Sequence, residues 1–334
     1  MEYFDNYDEK YPNLIIEIIE YFDSNNNVPV AIADKSVLGF CNQFKDGNRL
    51  IYNVVIINRI CKKLCECGYM EHIRSMGGLG SNDNYMILLK NKEIIYEKKM
   101  MYYFNSIVYG FEYIYNTYKK IVVPLVCLKE NGDYSVGSGF KYNNGIVTAK
   151  HCITDVKNLQ IKGYLSSELE GKPIYVSDNN DLDLAFIETG KVEEPFLNFE
   201  DGKVLQEVLV MGYPKIPAFT DFLTAEKAVI SCKASARLTP TLGTISAYGF
   251  EYLVKTEAML ITARIRGGNS GGPVINENGC LVGVACQIPD ANPQNGDYDD
   301  LGYGIAVPVS RLNEIIEKKP QILKVSDGFY RDCF

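Results

Sequence analysis

From Lys119 onward the chain is written in short apolar runs set off by Gly, Asn and Asp: IVVPLVCL, GSGFKY, GIVTA, LQIKGYL, DLAFIE, EVLVMGYP, GTISAYG, AMLITARI, GPVINENGCLVGVAC and GYGIAVPV. Most of these runs are too short for a helix of three turns. Their return at about every ten residues, with turn formers between, is the pattern of an all-β sandwich or barrel. The stretch closes in VSRLNEIIEKK, which has helical spacing and Ser310 as its expected cap.

The N-terminal third reads differently. NLIIEIIEYFD repeats apolar residues at helical spacing until SNNNVP breaks it, VAIADKSVLGFCNQF is a weaker second helix, and YNVVIINRICKKLCECGYMEHI is a third with a stop at Gly68. RSMGGLGSNDNYMILLK then reads as a glycine-rich hairpin ending in a strand. Three helices and a hairpin resemble the winged-helix form of the helix-turn-helix, and the resemblance covers about the first 90 residues. EIIYEKKMMYYFNSIVYGFEYIYNTY has helical periodicity with Gly110 as its one strong breaker, and is expected to be a connecting helix whose apolar face meets a neighbouring domain or a second subunit. The expected fold class is multidomain α+β: a winged-helix-like domain over 1–92, a connecting helix over 93–118, an all-β double-barrel domain over 119–320 and a C-terminal tail over 321–334.

A formal charge of −8 argues against general polyanion binding. No apolar run approaches the roughly 18 residues needed to span a bilayer, so no membrane partner is expected. The ten cysteines fall at no framework-like spacing and MEYFDNYDEKYP lacks the marks of a secretory signal, which leads to the expectation of a cytoplasmic protein with free thiols.

Three motifs stand in one chain order: GSGFKYNNGIVTAKHC with His151, NDLDLAFIE with Asp183, and RGGNSGGPV with Ser270. Together they resemble the trypsin-like serine proteases of the chymotrypsin fold, and more closely the HtrA-type branch, over about Lys119 to Pro320. The resemblance implies two β-barrels with a His–Asp–Ser triad in the cleft between them, no metal or organic cofactor, and a protein or peptide substrate. It makes His151 the base, Asp183 its orienting carboxylate, Ser270 the nucleophile, and the amides of Gly268 and Ser270 the oxyanion hole.

The chemistry asks for the same residues without the family. A serine hydroxyl is a weak nucleophile near neutrality and needs an adjacent imidazole, and the chain has two histidines, of which His72 lies in the helical part beside Met70 and Ile73. The imidazole needs a carboxylate to fix its tautomer. Asp181 and Asp183, two apart and read as one strand face, compete for that role, and Asp183 is preferred because Leu184 and Ala185 follow it. Gly-rich turns let backbone amides point inward at a developing oxyanion.

Departures from the family carry information. Position 269 is Asn where the digestive enzymes have an aspartate, so an ammonium freed at Ile121 would lack its carboxylate, and activation by cleavage after Lys120 is not expected. Cys152 has no cysteine near position 168 and is expected to be a buried thiol. By resemblance the substrate pocket is floored by Ala263, Arg264 and Ile265 and walled by Ala285, Cys286, Gln287 and the stretch 302–304 with Gly304. An acid-selecting Arg264 and a small or apolar preference both remain open, with the apolar one favoured. HtrA-type proteases carry a PDZ domain after the barrels, whereas only residues 320–334 follow the terminal helix, so control is expected from the N-terminal part. Cys61, Cys65 and Cys67 do not match zinc knuckles, and residues 290–300 lack the spacing of a calcium loop. The second functional reading is a winged-helix DNA-binding regulator with a sensor or self-cleaving protease domain. Residues 1–100 hold 12 Lys and Arg against 14 Asp and Glu, a net of −2, so a protein partner or self-association through this part ranks ahead of nucleic acid.

Overall fold

The computed structural model describes residues 7–23, 35–74, 81–89, 98–179, 181–214, 237–251, 256–286 and 303–332. The chain divides into two compact units, Met1–Ile114 and Tyr115–Phe334.

The first unit contains α1 (Tyr7–Lys10), α2 (Leu14–Asp23), α3 (Val37–Gln43), the two-residue strands β1 (Lys45–Asp46) and β2 (Arg49–Leu50), α4 (Val54–Glu66), β3 (Met70–Arg74), β4 (Asn84–Ile87) and α5 (Lys98–Tyr109). Helix starts follow local capping chemistry. Ser36 accepts from the Gly39 amide at 3.1 Å and Asn53 from that of Val55 at 2.9 Å. Helix α4 stops where Cys67 caps it and Gly68 turns to φ 78°. The strands β3 and β4 pair antiparallel, and Ser36 bridges Asn84. Leu14, Ile18, Phe22, Phe40, Ile57, Leu64, Tyr85 and Phe104 fill a common core.

A connecting helix over 93–118 is not what forms. Residues 98–118 make two helices, α5 and α6 (Phe111–Tyr118), separated by Gly110 at φ 73°, a left-handed backbone that ends a helix cheaply only at glycine. The apolar face of α5 is spent at home: Phe104 and Val108 belong to the core of the N-terminal helices.

The second unit holds two seven-stranded sheets. The first contains β5 (Val122–Lys129), β6 (Tyr134–Tyr142), β7 (Gly145–Thr148), β8 (Val156–Ile161), β9 (Ile174–Val176) and β10 (Ala185–Glu188), with the short α7 (Ser166–Leu169) between β8 and β9. The second contains β11 (Asn198–Phe199), β12 (Glu207–Gly212), β13 (Thr239–Glu251), β14 (Thr256–Ile261), β15 (Pro273–Asn276), β16 (Cys280–Cys286) and β17 (Gly304–Pro308). They are followed by α8 (Val309–Lys318) and β18 (Gln321–Ile322). Pro308 rather than Ser310 precedes α8, with no side-chain cap. Alternation does the sorting: Val123, Leu125 and Cys127 of β5 face one core, and Val208 and Val210 of β12 face the other. In the second sheet β17 pairs with both β14 and β16, which closes it into a barrel.

The first sheet runs β18-β9-β10-β7-β6-β5-β8, and the chain's end spans its two edges. Strand β18 pairs with β9, while the Leu159 amide in β8 donates to Phe329 O at 2.7 Å and the Arg331 amide donates to Leu159 O at 3.0 Å. Phe329 and Tyr330 are buried in the core of that sheet. Residues 321–332 are therefore part of the first sheet and its core and not a tail, because both edges offer backbone groups that this segment satisfies. Phe329→Ala is expected to cost about 3 kcal/mol and to lower Tm by about 6–12 °C. Thermal unfolding followed by circular dichroism measures it.

Candidate active site

Thr148 ends β7, and a single tight turn over Lys150–Cys152 carries His151 away from the sheet. Asp183 lies two residues before β10, so Asp181 and Asp183 precede the strand rather than sharing one of its faces. Strand β10 pairs with β7 with Ala185 opposite Thr148, and this register brings Asp183 beside the turn. One carboxylate oxygen lies 2.6 Å from His151 Nδ1, and the other accepts the His151 amide at 2.8 Å. Asp181 is exposed, with its amide on Asn179 Oδ1. His72 is in the other unit, on β3, 3.8 Å from Asp83.

Burial pulls the His151 imidazole down, but the Asp183 hydrogen bond and charge, together with the Cys152 sulphur, push it up to about 10. Cys152 is half-buried, not buried, and its Sγ stands 3.6 Å from His151 Nε2, the nitrogen turned away from Asp183. Two more thiols brace the site: Cys127 donates to Cys152 O at 3.0 Å and Cys286 to Asp183 O at 3.4 Å. Burial pushes the Cys286 thiol well above its ordinary value, and the Asp183 charge adds to it.

Ser270 lies in the turn between β14 and β15 and is 2% exposed. The backbone reverses there through Gly268 at φ 99° and Gly271 at φ 86°. A Cβ at Gly271 would stand 2.1 Å from Ser138 O, so only glycine fits. The Asn269 amide donates to Arg266 O, that of Gly271 to Ala285 O and that of Gly272 to Asn269 O. Among the described residues the Gly268 and Ser270 amides donate to no protein acceptor. Among the described residues neither Ser270 Oγ nor Asn269 Oδ1 has a hydrogen-bond partner, although both are buried. The imidazole and the serine hydroxyl are thus in the same unit without being bonded to each other.

Of the pocket residues, Ala263, Ile265 and Gly304 come together: a Cβ on Gly304 would meet Ile265 Cγ1 at 2.6 Å and Ala263 O at 2.7 Å. Ala285 and Cys286 are buried on β16, Arg264 is exposed, and Gln287 lies outside the described residues. Neither Ser138 nor Thr148 carries a signal of its own in the sequence, and Cys152 reads there as a buried thiol and not as a partner of the imidazole. All three sit inside the GSGFKYNNGIVTAKHC run, and for Ser138 and Thr148 that proximity is the only signal.

Residues 137–284 match the family model of the trypsin-like peptidase domain. Over these residues the second unit is similar to a trypsin-like peptidase domain. The chain is 29% identical over 204 residues to a probable periplasmic serine endoprotease, DegP-like, of Rickettsia conorii, and 27% identical over 198 residues to the protein of the same description from Chlamydia trachomatis. Each match covers 58% of this chain and 35% of the relative, so the chain spans about a third of the length of these relatives. The solved structure of the Rv3671c protease from M. tuberculosis in its active form overlaps 64% of this chain and 87% of its own at 20% identity and a TM-score of 0.46, too loose to carry function across.

The expected cytoplasmic location is overturned by these relatives, which are named as periplasmic. The thiol argument fails for a physical reason. Cys41, Cys61, Cys127, Cys280 and Cys286 of the described residues are buried, and a thiol packed in a core stays reduced for want of access whatever the compartment.

With only two histidines in the chain, imidazole titration by NMR reads the peptidase domain directly. Asp183→Asn is expected to bring the His151 midpoint down from about 10.

Proposed function

We propose that the chain is a serine endopeptidase in which His151, Asp183 and Ser270 form the triad. The observation that carries the reading is the two-point grip of Asp183 on His151, at 2.6 Å on Nδ1 and 2.8 Å on the backbone amide. It holds the ring with Nε2 free of the carboxylate, as a general base for a hydroxyl requires.

Ser270 Oγ attacks the peptide carbonyl carbon as its proton passes to His151 Nε2. The tetrahedral oxyanion takes the Gly268 and Ser270 amides, which have no protein acceptor among the described residues. The C–N bond then breaks, the leaving amine receives the proton from His151, and an acyl-enzyme remains on Ser270. Water repeats the sequence and releases the acid. Before the first step Ser270 Oγ must gain Nε2 as its partner in place of the Cys152 sulphur. Catalytic hydrogen bonds are commonly completed only in the substrate complex.

Ile265 packed over Gly304 beside Ala263 leaves an apolar and shallow pocket, and exposed Arg264 leaves it uncharged, which favours a small apolar side chain before the scissile bond. For residues 7–89 the order α2, α3, α4 and the β3–β4 hairpin, with the Ser36–Asn84 bridge, supports the winged-helix reading. Its proposed role is to meet a protein partner or a second copy and to control the peptidase domain. Exposed Ile51 before α4 and Val55 in its first turn supply apolar contact area for that role.

Ser270→Ala is expected to abolish cleavage of a casein-like substrate, and retention of cleavage would overturn the assignment. The base must be neutral to act, and its folded pKa is raised, so kcat/KM is lost as pH falls through that value. The acidic limb is expected near 10 in the pH–rate profile, and Cys152→Ala shifts it down by removing the sulphur from Nε2.

A further inference from the structure

We infer that Ser138 is a positioning residue for the oxyanion amides, an inference that rests on the proposed serine endopeptidase reading. Ser138 is on β6 in the first sheet, is 0% exposed, and uses every polar group it has. Its amide donates to Ser270 O at 2.9 Å, its hydroxyl donates to Gly268 O at 2.6 Å, the same hydroxyl accepts the Tyr213 amide at 2.8 Å, and its carbonyl accepts Thr148 Oγ1 at 2.7 Å.

The consequence follows from planar trans peptides, in which a carbonyl and the next amide point opposite ways. Drawing the carbonyls of residues 268 and 270 onto Ser138 turns the amides of residues 269 and 271 away, onto Arg266 O and Ala285 O. Those two are thereby used up, while the Gly268 and Ser270 amides are left undonated among the described residues. Gly268, at φ 99°, has no side chain to hold that conformation. Without the hydroxyl its carbonyl is released, and the donor it carries is no longer fixed in advance of the reaction. Preorganisation is what makes such donors effective, and removing one costs roughly 100–1000-fold in kcat. Loosening one while leaving it present is expected to cost about 10–100-fold.

Ser138→Ala and the near-isosteric Ser138→Cys are compared with Thr148→Val, which removes the support on the far side of Ser138 without touching Gly268. The expected result is a kcat loss of about 10–100-fold in both Ser138 variants with KM nearly unchanged, matched by weaker inhibition by a peptide boronate. Thr148→Val is expected to lose thermal stability but keep kcat. An unchanged kcat in a folded Ser138 variant overturns the inference, as does a kcat loss of equal size in Thr148→Val. Ser270→Ala run in parallel separates the two levels: cleavage surviving in that variant brings down the endopeptidase reading itself, while its loss alongside a fully active Ser138→Ala brings down only the positioning role.

Discussion

The carboxylate of Asp183 is the point on which the site's geometry hangs. It binds His151 twice, through ring and backbone, so the turn after β7 cannot rotate without breaking two charge-assisted bonds. Its own backbone carbonyl is held in turn by Cys286 of the second barrel. A single residue therefore ties the first sheet's histidine turn to the second barrel's wall. The pairing of β10 with β7 brings it there, because Ala185 opposite Thr148 leaves both flanking segments at the same end of the sheet.

Around that fixed pair the Ser270 turn is only partly satisfied. Ser270 Oγ and Asn269 Oδ1 are both buried and unpartnered, and an unpaired buried polar group costs about 1–3 kcal/mol. Such a cost persists only where the surroundings over-determine the conformation, and here they do: the peptides that link residues 268 to 272 are bonded to Ser138, Arg266, Ala285 or their own neighbours. The serine hydroxyl thus gains a partner on moving to the imidazole rather than losing one. The half-buried sulphur of Cys152, already on Nε2, is what it must displace.

Much of the peptidase unit was legible from the chain alone. Runs such as IVVPLVCL and CLVGVAC announce strands because they are short, rich in β-branched residues and set between turn formers, and the three motifs announce the site because nucleophile, base and carboxylate each need a neighbour of fixed chemistry. What stayed hidden is what depends on partners distant in sequence. The apolar face of α5 reads the same whether it meets another domain or its own helices, and only the packing of Phe104 with the N-terminal core decides. Phe329 and Tyr330 look like the end of a loose tail until the edges of β8 and β9 are known to be open. Ser138 is one more small residue in GSGF until Gly268 O is placed against it.

The sequence by itself determined the element types, the order of His151, Asp183 and Ser270, and the glycines that allow the turn to reverse, since these follow from local dihedral freedom, side-chain period and the chemistry of a weak nucleophile. Tertiary structure alone decided that Asp183 grips both the ring and the backbone of His151, that Arg264 is exposed while Ile265 packs over Gly304, and that a thiol sits where a hydroxyl is needed. The reason is tertiary: strand register and turn geometry set distances of a few ångströms between side chains on separate segments, and no local preference encodes those distances.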